Sequence, residues 1–164
     1  MHSRIFQIED APVLKKNYIG TGDFEEGFVG SVADYVADSD DRDGDIKWLV
    51  SNFEAVTSCD SLLIGCSLVQ YNSSDNSIVF LPGFKEGYFK SKFDELKRLT
   101  AKMTLHEFAN NAYDVYQIEK CILSKFGFYV SSGPSGTQSM DEFIRSEVKE
   151  NEKYYFGNTL DYHS

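Results

Sequence analysis

The sequence predicts an α+β fold: a single domain over residues 1–164, with a small, mostly antiparallel sheet and a central hairpin packed against several amphipathic helices. Three observations carry this. Apolar residues recur at period 2 in short runs and near period 3.6 in longer ones. The two kinds of run are mixed around a hairpin instead of alternating strictly, which argues against a doubly wound parallel sheet. A chain of 164 residues with 41% hydrophobic content also builds a core without disulfide or metal staples.

Ser3 to Ile8 reads as a first strand, with Phe6 and Ile8 on one face and Ile5 on the other. Phe24, Phe28, Val32, Tyr35 and Val36 then recur at helical spacing, with Asp23 as the cap and Gly27 and Gly30 as weak points. Ile46, Leu49, Val50, Phe53 and Val56 form the stripe of a second helix, with Asp43 or Asp45 as N-cap. Ser61 to Tyr71 is apolar on both alternating faces, as expected for a central strand. The loop 72–76 turns it back into Ser77 to Leu81. Phe89, Phe93, Leu96, Thr100 and Met103 define a third helix. Thr104 with Glu107 is a capping box that opens a fresh helix, and the helical period runs on to Gly127 as its C′ residue. Phe128 to Val130 reads as a strand, and Ser139 with Glu142 caps another helix. The tail predicts a final hairpin around Gly157-Asn158.

The net charge of −10 is uneven. Residues 1–60 hold 13 acids against 5 bases, a net of −8. That field repels phosphate backbones, so direct nucleic-acid binding is disfavoured and a protein with a basic surface is the expected partner. Cys59, Cys66 and Cys121 are odd in number and widely spaced, so they read as buried thiols of a reducing compartment, not a disulfide framework. The first ten residues contain no apolar signal core and no run is long enough for a membrane span, so the expectation is a cytoplasmic chain with no membrane partner.

The acidic stretch from Asp38 to Asp45 carries the densest charge. Gly44 sets an EF-hand register in which Ser39, Asp41, Asp43 and Asp45 stand at ligand positions 1, 3, 5 and 7. Val50 at position 12 cannot supply the bidentate carboxylate, and Ser39 is a poor first ligand. The stretch is therefore read as an acidic turn that starts a helix, with calcium binding as the alternative. Asp38, Asp40, Asp41, Asp43 and Asp45 are the candidate partner-binding residues. Tyr154 and Tyr155 join them, because the aromatic string 154–156 reads either as a core strand or as a recognition strip.

Other motifs lead to ordinary structure. The Gly-rich loop 131–138 has no lysine at P-loop spacing. The bases Lys85, Lys90, Lys92, Lys97, Arg98 and Lys102 are interleaved with acids as on a solvated face. His106 has no second histidine at metal-ligand spacing, and nothing local pairs it with Cys121. No catalytic set and no cofactor site is legible. The reading is an acidic interaction module that binds, and antagonises, a basic or nucleic-acid-binding partner. The alternative is an enzyme or ligand-binding protein whose site is assembled from distant residues.

Overall fold

The computed structural model describes residues 2–58, 67–124, 127–132 and 136–164. Its strands are β1 (His2–Glu9), β2 (Tyr35–Asp38), β3 (Val69–Asn72), β4 (Ser77–Phe80), β5 (Tyr129–Ser132), β6 (Gly136–Ser139) and β7 (Lys153–His163). Its helices are α1 (Arg42–Thr57), α2 (Phe84–Lys102), α3 (Leu105–Asn110), α4 (Ala112–Ile122) and α5 (Met140–Ser146). Short 3-10 turns cover Lys15–Asn17 and Thr21–Phe24.

The sheet is built on β7. One of its edges pairs antiparallel with β1 from His163 to Tyr155. On its other edge two short strands lie end to end, β4 against Lys153–Tyr155 and β2 against Leu160–His163. The full order is β3-β4-β7-β1-β5-β6, and only the β1–β5 pair is parallel among the described strands. The predicted α+β class, with a mostly antiparallel sheet packed against helices, is what the chain forms.

A bulge divides β7. Phe6 faces Thr159 while Ile8 faces Phe156, so Gln7 opposes both Gly157 and Asn158. Because strand side chains alternate, one extra residue switches every later side chain to the opposite face. Tyr154 and Phe156 accordingly join the core under the helices, and Leu160 and Tyr162 join the core on the other side.

The bulge leaves backbone groups without ladder partners, and side chains supply them. Gln7 is 4% exposed. Its Oε1 accepts from the Ile19 and Asn158 N–H groups, both at 3.1 Å, and its Nε2 donates to the Asn17 carbonyl at 3.0 Å. Asn158 Nδ2 donates to the Ile19 carbonyl (2.8 Å). Arg42 donates from Nε to the Gly157 carbonyl (2.6 Å) and from Nη2 to the Phe156 carbonyl (3.1 Å). A Cβ on Gly157 would overlap the Gln7 amide, so glycine is required there by space.

The larger core lies between the sheet and α1, α2 and α5. It includes Phe6, Ile46, Leu49, Phe53, Phe80, Phe84, Phe143 and Phe156. Phe53, Phe80 and Phe84 meet at centroid distances of 4.5 to 5.7 Å. The smaller core covers the opposite face, where Phe24, Phe28 and Ala33 pack on Ile5, Tyr129, Leu160 and Tyr162.

Several expectations are corrected here. The segment from Phe24 to Val36 is not a helix. Gly27 and Gly30 sit at φ +90° and +89°, a conformation that ends helices, and the chain turns there before forming β2. Phe24, Phe28 and Ala33 are buried all the same, with Val32 and Val36 half-buried beside them and Tyr35 exposed, since a cover needs bulk and not a helical period. Val69–Asn72 is the edge strand, not a central one, and residues 59–66, with Cys59 and Cys66, lie outside the described residues. Asn111 interrupts the helix after α3 and caps α4, its Oδ1 accepting from the Asp114 N–H at 3.2 Å. Helix α4 ends at Ile122, short of Gly127. The predicted hairpin at Gly157-Asn158 is the bulge of one continuous strand. The Gly-rich loop forms the inner ends of the β5–β6 hairpin, with residues 133–135 outside the described residues.

Replacing Gln7 with Leu should strand buried backbone donors at Ile19 and Asn158 and lower unfolding stability by about 3 kcal/mol. Gly157→Ala should destabilise through the overlap with Gln7. Urea unfolding of both variants tests this, and an unchanged midpoint for either would contradict the assigned role of the bulge.

Candidate functional site

The acidic stretch joins β2 to α1, and its carboxylates divide into two groups. The first group belongs to the fold. Asp41 is the N-cap of α1, its Oδ1 accepting from the Gly44 N–H at 2.9 Å. This corrects the caps expected at Asp43 or Asp45, which instead occupy the first helical turn and favour it through the helix dipole. Asp45 turns inward. It accepts from Arg4 Nε (2.9 Å), from the Thr159 hydroxyl (3.3 Å) and from the Ser39 hydroxyl. Arg4 also binds Asp161, whose second oxygen lies 2.8 Å from His2 Nδ1. The helix start is thereby tied to both central strands.

The second group faces water. Asp43 is exposed and meets Arg42 Nη1 at 2.5 Å. Asp38 and Asp40 are exposed, and among the described residues neither makes an ion pair. Large aromatics flank the same segment in the chain. Tyr35, on β2, is 46% exposed and stacks on His163. Trp48, on α1, is 51% exposed and its ring stands perpendicular to that of Phe128, centroids 5.1 Å apart.

The calcium-loop residues are engaged by the fold. Asp43, Gly44 and Asp45 are helical, Asp41 is engaged by the Gly44 N–H, and the Ser39 hydroxyl is engaged by Asp45. Among the described residues no three His, Cys, Asp or Glu side chains are gathered to hold a metal ion. Gly44 serves the cap, because a Cβ there would overlap the Asp41 carboxylate.

The two tyrosines of the C-terminal string separate. Tyr154 is 5% exposed, with its hydroxyl donating to the Glu147 carbonyl (3.0 Å) and accepting from the Lys149 N–H (2.8 Å). It is a core residue. Tyr155 is half-buried, with the Lys153 ammonium 5.8 Å from its ring.

Compared with known proteins, the chain matches no protein family, no curated protein and no solved structure. The site therefore rests on its own geometry. No helix among the described residues is long and apolar enough to cross a membrane.

One further polar cluster was not legible in the sequence. Asp141, in the first turn of α5, is 3% exposed. It accepts from the Tyr88 hydroxyl (2.9 Å), the Ser124 hydroxyl (2.5 Å) and the Lys92 ammonium. Lys92 also donates to Ser124 at 2.9 Å. A serine beside a lysine invites a nucleophile reading, but the Ser124 hydroxyl and the Lys92 ammonium both donate to the Asp141 carboxylate. The cluster instead locks α2, the chain after α4, and α5 together. Burial pushes the Asp141 carboxyl up, but the hydrogen bonds from Lys92 and Ser124, with the lysine charge, outweigh it and hold it below its ordinary range. Burial and the adjacent Asp141 push the Tyr88 phenol far above its usual range. Elsewhere on α2 the bases form the expected solvated face, with Lys90 on Asp94 (2.7 Å) and Arg98 on Glu95 (2.6 Å). His106 is exposed on α3 beside Asn110.

Two outcomes follow. Asp41→Ala should cost about 1 kcal/mol as a lost cap and Asp45→Ala about 2 kcal/mol, while Asp38→Ala and Asp40→Ala stay within about 0.5 kcal/mol of the parent in denaturant unfolding. Ionised Asp141 contributes stability above the unfolded carboxyl pKa of about 4, and that contribution is lost as pH falls through its lower folded value. The difference in stability between the parent and Asp141→Asn should therefore be largest at neutral pH and shrink below about pH 4; a gap independent of pH would contradict an ionised Asp141.

Proposed function

We propose that this chain is an interaction module that docks a partner protein with a basic surface on the edge formed by Asp38, Asp40 and Asp43, and antagonises that partner by covering the surface. The observation that carries this reading is the division of the acidic stretch. Asp41 and Asp45 are used by the fold, whereas Asp38 and Asp40 stand in water without a counter-ion among the described residues. Exposed like charges repel one another and add nothing to stability, so an opposite charge supplied by a partner relieves a repulsion already present. Complementary charge also speeds association and excludes like-charged partners. Tyr35 and Trp48 are the side chains best suited to anchor such a contact, because half-exposed aromatics contribute large area at small entropic cost. The net charge disfavours nucleic acid as the direct partner.

Affinity capture from native lysate at about 50 and 300 mM salt, with the parent and with Asp38→Lys/Asp40→Lys, tests the proposal. The parent should retain a basic protein at low salt and release it at high salt, and the double variant should retain at least tenfold less at low salt. Equal retention by parent and variant, or no retained protein at low salt, would overturn it.

A further inference from the structure

One corner of the sheet brings two of the chain's three histidines together. His2 on β1 and His163 on β7 are direct cross-strand partners, and Tyr35 on β2 pairs with His163 from the other side. Directly paired residues share a face, so the three side chains stand in a row on one side of the sheet. The Tyr35 ring stacks on the His163 imidazole, centroids 5.5 Å apart, and orients it. The two imidazole centroids are 5.0 Å apart. Each imidazole is also held at Nδ1. His2 Nδ1 lies 2.8 Å from an Asp161 carboxylate oxygen, and His163 Nδ1 lies 3.1 Å from one of Asp34. An ionised carboxylate only accepts, so in the neutral rings both Nδ1 atoms carry the proton and both lone pairs sit on Nε2.

We propose that His2 and His163 are the two protein ligands of a site for a zinc-class divalent cation at this corner. A carboxylate on one ring nitrogen and the lone pair on the other is the arrangement of metal-binding histidines, whose outer carboxylates fix the tautomer and raise the basicity of the ligating nitrogen. The spacing agrees. A zinc–nitrogen bond of about 2.0–2.1 Å sets each imidazole centroid about 3.2 Å from the ion, and a tetrahedral angle then separates two centroids by about 5.2 Å. Charge agrees as well. Asp161 is shared between His2 and Arg4, and Arg4 reaches on to Asp45. With Asp34 the corner holds three carboxylates and one guanidinium, a net of −2 around neutral imidazoles, which favours a cation. The His2 and His163 side chains are 59 and 36% exposed, so a hydrated ion reaches them. Imidazole nitrogen selects zinc, nickel and copper over calcium and magnesium. Among the described residues no three His, Cys, Asp or Glu side chains are placed to hold an ion, so two imidazoles are the protein's share and water fills the other positions. A bound ion clips the start of β1 to the end of β7. The site uses none of Asp38, Asp40 and Asp43, so it goes beyond the docking reading and holds or fails independently of it.

Isothermal titration of the full chain with zinc chloride at pH 7.5, in a buffer that does not bind metal, tests it. The parent should bind one ion per chain. His2→Ala and His163→Ala should each weaken binding at least tenfold, Asp34→Asn should weaken it about tenfold, and His106→Ala should leave it unchanged. In NMR spectra of the parent, zinc should shift the ring resonances of His2 and His163 and not those of His106, a readout that needs no variant to fold. An absence of binding at about 1 mM zinc, His163→Ala binding as tightly as the parent, ring shifts confined to His106, or one ion shared by two chains would each overturn the proposal.

Discussion

The bulge at Gly157-Asn158 is the constraint on which the rest of the structure depends. A single strand must supply side chains to two cores on opposite faces of the sheet, and an unbroken alternation cannot place Phe156 on one face and Leu160 and Tyr162 on the other. The extra residue makes the switch, and it frees backbone groups that must be satisfied in a dry environment. Gln7 and Arg42 satisfy them from two different elements, so β1, the 17–19 segment, α1 and β7 are all held by one irregularity. The Arg42 guanidinium also lies 5.4 Å from the Tyr18 ring, which extends the clamp to the cover of the smaller core.

The acidic stretch gains its meaning from this arrangement. Arg42 sits inside it, where it looks like an obstacle to a calcium loop, and it is the residue that seals the bulge. Asp45 closes the same junction from the other side through Arg4 and Thr159. Half of the stretch is therefore a joint between helix and sheet. The other half, Asp38 and Asp40, is excess charge on a surface that the fold itself does not use. The proposed docking edge is the part of the segment that the fold leaves exposed.

Helices α2, α3 and α4 pose the opposite problem. Residues 84–123 hold 7 bases and 6 acids, and several large apolar side chains of α3 and α4 are exposed. The Asp141 cluster ties the first half of α2 and the chain after α4 to α5 through a half-buried ion pair and two hydroxyls, while Leu105, Phe108, Tyr113 and Tyr116 stay exposed. The acidic edge and the exposed apolar side chains of α3 and α4 are thus on different elements and have different chemistry.

Local signals in the sequence determined the fold class, the stripe of Ile46, Leu49, Val50 and Phe53, the hairpin of β3 and β4, and the caps at Thr104 and Ser139, because each depends on neighbours within one or two turns. They also located the acidic stretch. Tertiary structure alone decided which aspartates were free, because Arg4 and Thr159 reach Asp45 from positions 41 and 114 residues away. It alone converted the apolar run from Phe24 to Val36 into a turning cover, since two glycines at positive φ outweighed a helical period. It placed Tyr154 in the core, gathered Tyr88, Lys92 and Ser124 around Asp141, and made a bulge of an expected turn. Pairing partners distant in the chain leave no local periodicity to read.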